Sequence, residues 1–165
     1  MSDQIRVLKI DQIAIVVRNL EDSMEKITNI LGIKPWKIYT FAPPKLTETY
    51  VRGKPVEYGH KLALARLNNI ELELIEPIKG ESIYTEFLRS RGEGLHHVAT
   101  FYDSYERVKR ELSLFEKHGI KVIQSGRYID IRFYYLDTEE LLGFIYEISY
   151  IPPESSKYPP DKVYP

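Results

Sequence analysis

The 165-residue chain repeats itself, and an internal repeat constrains a fold more tightly than any single motif. Around Gln12, residues 10–17 are nearly all apolar and β-branched and predict a buried strand. The stretch "NLEDSMEKITNILG" then places Leu20, Met24, Ile27, Ile30 and Leu31 at helical spacing, with Asn19 as N-cap and Gly32 as stop. A short strand near 36–40, a long polar, proline-bearing segment over 42–59, and strands "KLALARL" and "IELELIE" follow, the last two joined by a turn at Asn68-Asn69. A short helix, "SIYTEFLRSRG", leads into a second series. This has a strand at 95–102, a helix at 104–118 stopped by Gly119, and strands near 121–125, 129–137 and 143–150. The order β-α-β-β-β thus occurs twice. Both helices end in the same tripeptide, Gly32-Ile33-Lys34 and Gly119-Ile120-Lys121. The expected fold is α+β: two tandem βαβββ modules, about 8–78 and 93–150, making one domain over 1–150. The tail "IPPESSKYPPDKVYP" is too rich in proline for helix or strand. It is expected to be loose or to lie over a neighbouring subunit.

The repeat aligns polar residues as well as apolar ones. Gln12 shares a strand face with Ile10, Ala14 and Val16, and its counterpart is His97, on a face with Leu95 and Ala99. His96, the next residue along, is expected on the opposite face. Near the end of each half, Glu73-Leu74-Ile75 matches Glu147-Ile148-Ser149. If the two halves face each other about a pseudo-twofold axis, Gln12, Glu73, His97 and Glu147 can converge. One imidazole nitrogen, one amide oxygen and two carboxylates suit a divalent ion of the Zn, Ni, Co, Mn or Fe type, one per chain. Each residue also has a plain structural reading. Gln12 can be a hydrogen-bonded core amide and His97 a satisfied core histidine. Glu147 can be a hydrogen-bonded acid, and Glu73, beside Glu71, part of a solvated face.

Composition narrows the classes. The formal net charge is −1, so no global basic field draws nucleic acid or a lipid surface. No cysteine is present, which excludes disulfides and thiolate metal sites. The N-terminal "MSDQIRVLKI" lacks the pattern of a secretory leader, and no apolar run is long enough to span a membrane. A cytoplasmic protein is expected. The segment 34–60 groups Trp36, Tyr39, Phe41, Tyr50 and Tyr58 with Arg52, Lys54 and His60. These could wall a site for an acidic acyl-CoA or another small carboxylate, or plug the open edge of the cleft.

At this point the sequence resembles the vicinal oxygen chelate superfamily: glyoxalase I, methylmalonyl-CoA epimerase, extradiol dioxygenases and bleomycin-resistance proteins. The resemblance covers about residues 8–150. It is closest in "LELIEPIKGESIYTEFLRSRGEGLHHVATFYD", whose Glu-Pro, helix ending "RGEG" and strand opening His-His resemble methylmalonyl-CoA epimerases. It implies paired βαβββ modules forming a U-shaped mixed sheet around a metal cleft, with ligands from the first and last strands of each module. By position these are Gln12, Glu73, His97 and Glu147. Epimerases usually carry His at the Gln12 position and often Gln at that of Glu73, and the set here is similar to that of glyoxalase I.

The resemblance implies a metal-dependent isomerase of the methylmalonyl-CoA epimerase type. Such an enzyme abstracts a proton α to a carbonyl through a stabilised enolate, on an acyl-CoA or other small carbonyl compound. It casts Glu147 as principal base. Glu73 is the symmetric second acid-base group, with Glu48 and Glu57 as other candidates. A glyoxalase I-like lactoylglutathione lyase is the second reading. A dioxygenase is third, because its iron wants two His and one carboxylate. A non-catalytic binding protein of the bleomycin-resistance type is the reading from another class. A homodimer is implied by the family habit of paired modules.

Overall fold

The computed structural model describes residues 4–165, so the first three residues of the stretch read above for a leader lie outside it. The first module runs β1 (Gln12–Val16), α1 (Leu20–Leu31), β2 (Trp36–Phe41), β3 (Leu46–Val51), β4 (Lys54–Pro55), β5 (Gly59–Leu67) and β6 (Ile70–Lys79). The helix α2 (Ile83–Arg91) links it to β7 (Gly94–Tyr102), α3 (Tyr105–Lys117), β8 (Val122–Tyr128), β9 (Ile131–Leu136), a single turn α4 (Glu139–Leu142) and β10 (Ile145–Tyr150). The helix signals act as expected. The Asn19 side chain accepts from Asp22 N–H, and Gly32 takes the left-handed conformation, φ +69°, that ends α1.

The strands make one mixed sheet in the order β11-β2-β5-β6-β1-β7-β10-β9-β8-β3-β4, where β11 is Lys162–Tyr164. The repeat is visible in that order. Outward from the centre, β1, β6, β5 and β2 mirror β7, β10, β9 and β8. The strands β1 and β7 meet antiparallel, and each lies parallel to the last strand of its own module. All four strands that carry the candidate residues are therefore neighbours.

Two segments depart from expectation. Residues 42–59 are not only a polar loop, because β3 lies within them and pairs antiparallel with β8 of the other module. A short turn joins β2 to β3, yet the two strands lie near opposite ends of the sheet order, so the sheet must curl until its ends approach. Phe41 and Tyr128 stack across that approach, with ring centroids 3.8 Å apart. The tail is also more ordered than its prolines suggested. It makes one turn of 3-10 helix at Pro153–Lys157, and β11 adds to β2 as a three-residue edge strand. Proline is confined to sheet edges, and the Lys-Val-Tyr of β11 contains none.

Three cores follow from the curl. Helix α1 covers one outer face over Val17, Leu20, Met24, Trp36 and Leu74. Helix α3 covers the other over Val108, Phe115, Tyr146 and Ile148. The concave interior holds Ala14, Val16, Leu62, Tyr58, Phe133 and Tyr135, with Ile83, Tyr84 and Phe87 of α2 packed into it. Among the described residues no helix is long and apolar enough to cross a membrane.

Candidate functional site

Two rows of residues cross the concave face where the modules meet. In one, β6, β1, β7 and β10 contribute Glu71, Gln12, Ala99 and Glu147. In the next, they contribute Glu73, Ala14, His97 and Ile145. Ala14 and Ala99 are counterparts in the repeat, and both are wholly buried. Their small side chains leave room between the polar ones.

The structure brings three of the four expected residues into contact. His97 Nε2 lies 2.9 Å from a Glu147 carboxylate oxygen and 3.4 Å from one of Glu73. All three are at most 6% exposed, which removes the solvated-face reading of Glu73. Gln12 lines the same cavity, but its amide nitrogen donates sideways to Glu71 Oε1 at 2.9 Å. That leaves the Gln12 carbonyl oxygen as the atom available to the cleft. Glu71 was not anticipated as a member of the site. Its place two residues before Glu73 on an alternating strand is the signal that could have found it.

Two supporting residues were also missed. The first is His96, which does not point to the opposite face. A bulge in the β1–β7 pairing sets two residues against one at this point, with Ala14 opposite His97 and Ile15 opposite Leu95. His96 therefore stays beside His97, their Nδ1 atoms 2.9 Å apart. Burial holds the His96 imidazole neutral, well below the usual histidine range. A neutral ring accepts at Nδ1 when His97 donates, which turns His97 Nε2 toward the carboxylates. The second is Ser149, whose hydroxyl donates to Glu147 Oε1 at 2.5 Å. Glu147 Oε2 is left buried without a hydrogen bond of good geometry.

Buried charge sets the electrostatics. Burial raises Glu73 to about 7, opposed by His97 and reinforced by Glu147 and Glu71. Burial alone would lower His97, but its contacts with Glu147 and Glu73 raise it to about 9. The trio therefore wants a positive charge at its centre. Without a metal that charge is a proton on His97.

A divalent ion fits the same place on chemical grounds. Metal bonds of about 2.1 Å hold neighbouring ligand atoms about 3.0 Å apart at a right angle and about 3.4 Å apart at a tetrahedral one. The His97–Glu147 and His97–Glu73 separations, 2.9 and 3.4 Å, lie in that range. The side chains are turned toward one another, however. Among the described residues no group of three His, Asp or Glu stands already arranged around a common point.

The cavity above this floor has a volume of about 520 Å³. Leu62, Tyr39, Phe41, Tyr128 and Phe133 wall it, with Lys37 and Arg66 toward solvent. His60 lies in the wall, buried, and burial pushes its imidazole down to about 3. Tyr84 donates to Tyr135 at 2.6 Å, and the Tyr135 ring sits 4.9 Å from that of His97. The aromatic segment 34–60 divides its roles. Tyr39 and Phe41 wall the cavity, Trp36 is buried under α1, and Tyr50 is exposed. Glu48 and Glu57 do not reach the floor. Glu48 is tied to Arg127 and Arg132, and Glu57 to Lys79, both at the surface.

Comparison with known proteins agrees with this architecture. The profile of the Glyoxalase/Bleomycin resistance protein/Dioxygenase superfamily matches residues 11–135. The uncharacterized protein YqjC of Bacillus subtilis is 30% identical over 91 residues, and the match spans only 55% of either chain. Among solved structures, hypothetical protein BH1468 of Bacillus halodurans superposes with a TM-score of 0.66 at 23% identity, covering 87% of this chain and 94% of that one. Methylmalonyl-CoA epimerase of Mycobacterium tuberculosis gives 0.61 at 16% identity, covering 90% and 91%. A variant of the Streptomyces coelicolor epimerase in complex with 2-nitronate-propionyl-CoA gives 0.61 at 20%, covering 88% and 98%. At these identities the structural likeness carries the fold and not the reaction. The profile match spans most of the chain, and the protein belongs to the glyoxalase, bleomycin-resistance and dioxygenase superfamily.

Proposed function

We propose that the protein is a divalent-metal-dependent isomerase of the methylmalonyl-CoA epimerase type, which moves a proton on the carbon next to a carbonyl. The observation that carries this reading is the placement of His97 Nε2 between two buried carboxylates, 2.9 and 3.4 Å away, at the foot of an apolar cavity. Gln12, Glu73, His97 and Glu147 would hold one ion of the Zn, Ni, Co, Mn or Fe type. When bound, the ion supplies positive charge for the developing enolate oxygen.

The chain's own groups handle the proton. Glu147 is the base we favour: Ser149 fixes one of its oxygens, and the other lies 2.9 Å from His97 Nε2. Glu73, on the other side of His97 from the favoured base, is the symmetric second acid-base group. Leu62, Phe41 and Phe133 keep bulk water from the intermediate. A homodimer completes this reading, and it rests on the family resemblance.

The test is solvent exchange at the α-carbon. Methylmalonyl-CoA and small 2-substituted oxo acids are incubated in heavy water with protein loaded with Co, and the α-proton signal is followed by NMR. Loss of the signal, abolished by chelator and in Glu147→Gln, is expected. No exchange with any of these compounds would overturn the reading. The set of one Gln, one His and two Glu also favours a second reading, a glyoxalase I-like lyase. It would show as turnover of a thiol hemiacetal without exchange in the acids. Binding of compounds unaffected by chelator would instead place the chain with the non-catalytic binding proteins.

A further inference from the structure

After β10 the chain crosses from one module to the other. Ile151 N–H donates to the Tyr102 carbonyl at 2.9 Å. The 3-10 turn Pro153–Lys157 follows. The Tyr158 hydroxyl then bonds Asp130, in the turn between β8 and β9, at 2.5 Å. Asp161 N–H next donates to the Ile38 carbonyl at 2.8 Å, and β11 zips onto β2. Ser155, Ser156 and Tyr158 line the same cavity as Gln12, Glu73 and Glu147. They do so beside Lys37 and Arg66, which are exposed, whereas Tyr84 of α2 lines it from the buried interior.

We propose that residues 151–164 roof the entrance of the cavity and select its ligands by size, admitting a compact carbonyl compound readily and slowing entry of one that carries the nucleotide-bearing arm of a coenzyme A thioester. A cavity of about 520 Å³ is of the size that surrounds one small molecule. The roof takes part of its wall from one end of the sheet and anchors at the other. A ligand longer than the cavity meets the roof where Ser155, Ser156 and Tyr158 line it. The anchors are light: one phenol–carboxylate bond, one backbone bond from Asp161 and three residues of edge strand. Such a segment opens at far lower cost than the sheet beneath it. The carbonyl part of this inference rests on the enolising reading above, and the size limit does not.

The chain has no cysteine, so one introduced thiol reports alone. Leu64 lines the cavity and pairs with Glu73 across β5 and β6, which puts Leu64→Cys at the depth of the floor. Its modification is timed with methyl methanethiosulfonate and with a pyridyl disulfide of coenzyme A. Each rate is divided by that of the same reagent on urea-unfolded protein. The small reagent should react, and the coenzyme A reagent should lag by at least about tenfold. Adding Tyr158→Phe should recover about tenfold for the large reagent, the change expected on losing one hydrogen bond to a carboxylate. Equal rates for the two reagents, no gain in Tyr158→Phe, or no reaction with either would each overturn the proposal. Should Leu64→Cys not fold, Ile131→Cys on the facing wall serves as the reporter. The labelling needs neither metal nor turnover. Its failure would leave the enolising reading standing, and failure of solvent exchange would leave the roof standing.

Discussion

In the second module His97 leans on His96 and Glu147 is held by Ser149; in the first, Gln12 is tied sideways to Glu71 and Glu73 meets only His97. The repeat placed equivalent strands at the centre, yet the two copies equip their polar residues differently. The second copy has a bulge that doubles the histidine and a serine two residues after the glutamate. The first copy has neither. Its glutamine is neutral and its glutamate is pushed toward the protonated form. The second module thus braces its histidine and its glutamate with a hydrogen-bonding neighbour each, and the first braces only its glutamine.

The sharpest break of this asymmetry is His97→Ala. It removes the positive centre and leaves two buried carboxylates facing each other, a loss of about 3–5 kcal/mol in metal-free protein near neutral pH. Urea denaturation measures it. Gln12→Ala in the other module should cost about 1 kcal/mol, because only a hydrogen bond to Glu71 is lost. Equal losses would end the distinction.

His96→Phe comes next. A phenyl ring keeps the packing against Tyr84 and Phe87 but cannot accept from His97 Nδ1. Metal affinity should fall by about 10–100-fold, the usual cost of losing the partner that orients a ligating imidazole. Glu71→Gln, which acts on the first module, should change it less. Cobalt titration followed by absorbance compares the two.

The alanines test the space between the rows. Ala99→Leu should cost about 1–3 kcal/mol by overpacking and should also block metal uptake. Ala14→Leu should do the same at the equivalent place in the first module. A leucine tolerated at either position without loss of metal would mean that the floor is not where the ion sits.

The two halves also differ in how they respond to pH. Burial and the neighbouring carboxylates raise Glu73 above its ordinary 4.5 to about 7, so the folded chain keeps a proton that the unfolded chain has lost. His97, raised by its carboxylates from 6.5 to about 9 against the effect of burial, does likewise. For Glu73 the stabilisation is complete below 4.5 and lost as pH rises through about 7. For His97 it is complete below 6.5 and lost through about 9. Metal-free protein should therefore weaken between about pH 5 and 9, while stabilisation by added cobalt grows over the same range, because ligands must lose their protons to bind. Denaturation midpoints with and without cobalt check both trends.

The sequence made the architecture legible because the repeat, the caps at Asn19 and Gly32, and the alternation of β5 and β6 all agree. The approach of Glu73, His97 and Glu147 to one another was legible for the same reason: a repeat predicts equivalent positions. What escaped it was non-local or irregular. The pairing of β3 with β8 joins residues far apart in the chain, and no local pattern announces it. A bulge breaks the period of two, so counting sent His96 to the wrong face. The prolines of the tail hid a strand that needs only three residues on an edge. Glu48 and Glu57 looked eligible as acids until their cations were in place.

The central claim is that Gln12, Glu73, His97 and Glu147 hold a divalent ion. The most direct test is elemental mass spectrometry on protein purified without chelator or metal resin, beside His97→Ala. The account predicts about one equivalent of a transition metal per chain, absent from the variant. No metal in the parent chain, even after incubation with Co, Ni, Mn and Zn, would contradict it and leave His97 a protonated core histidine between two carboxylates.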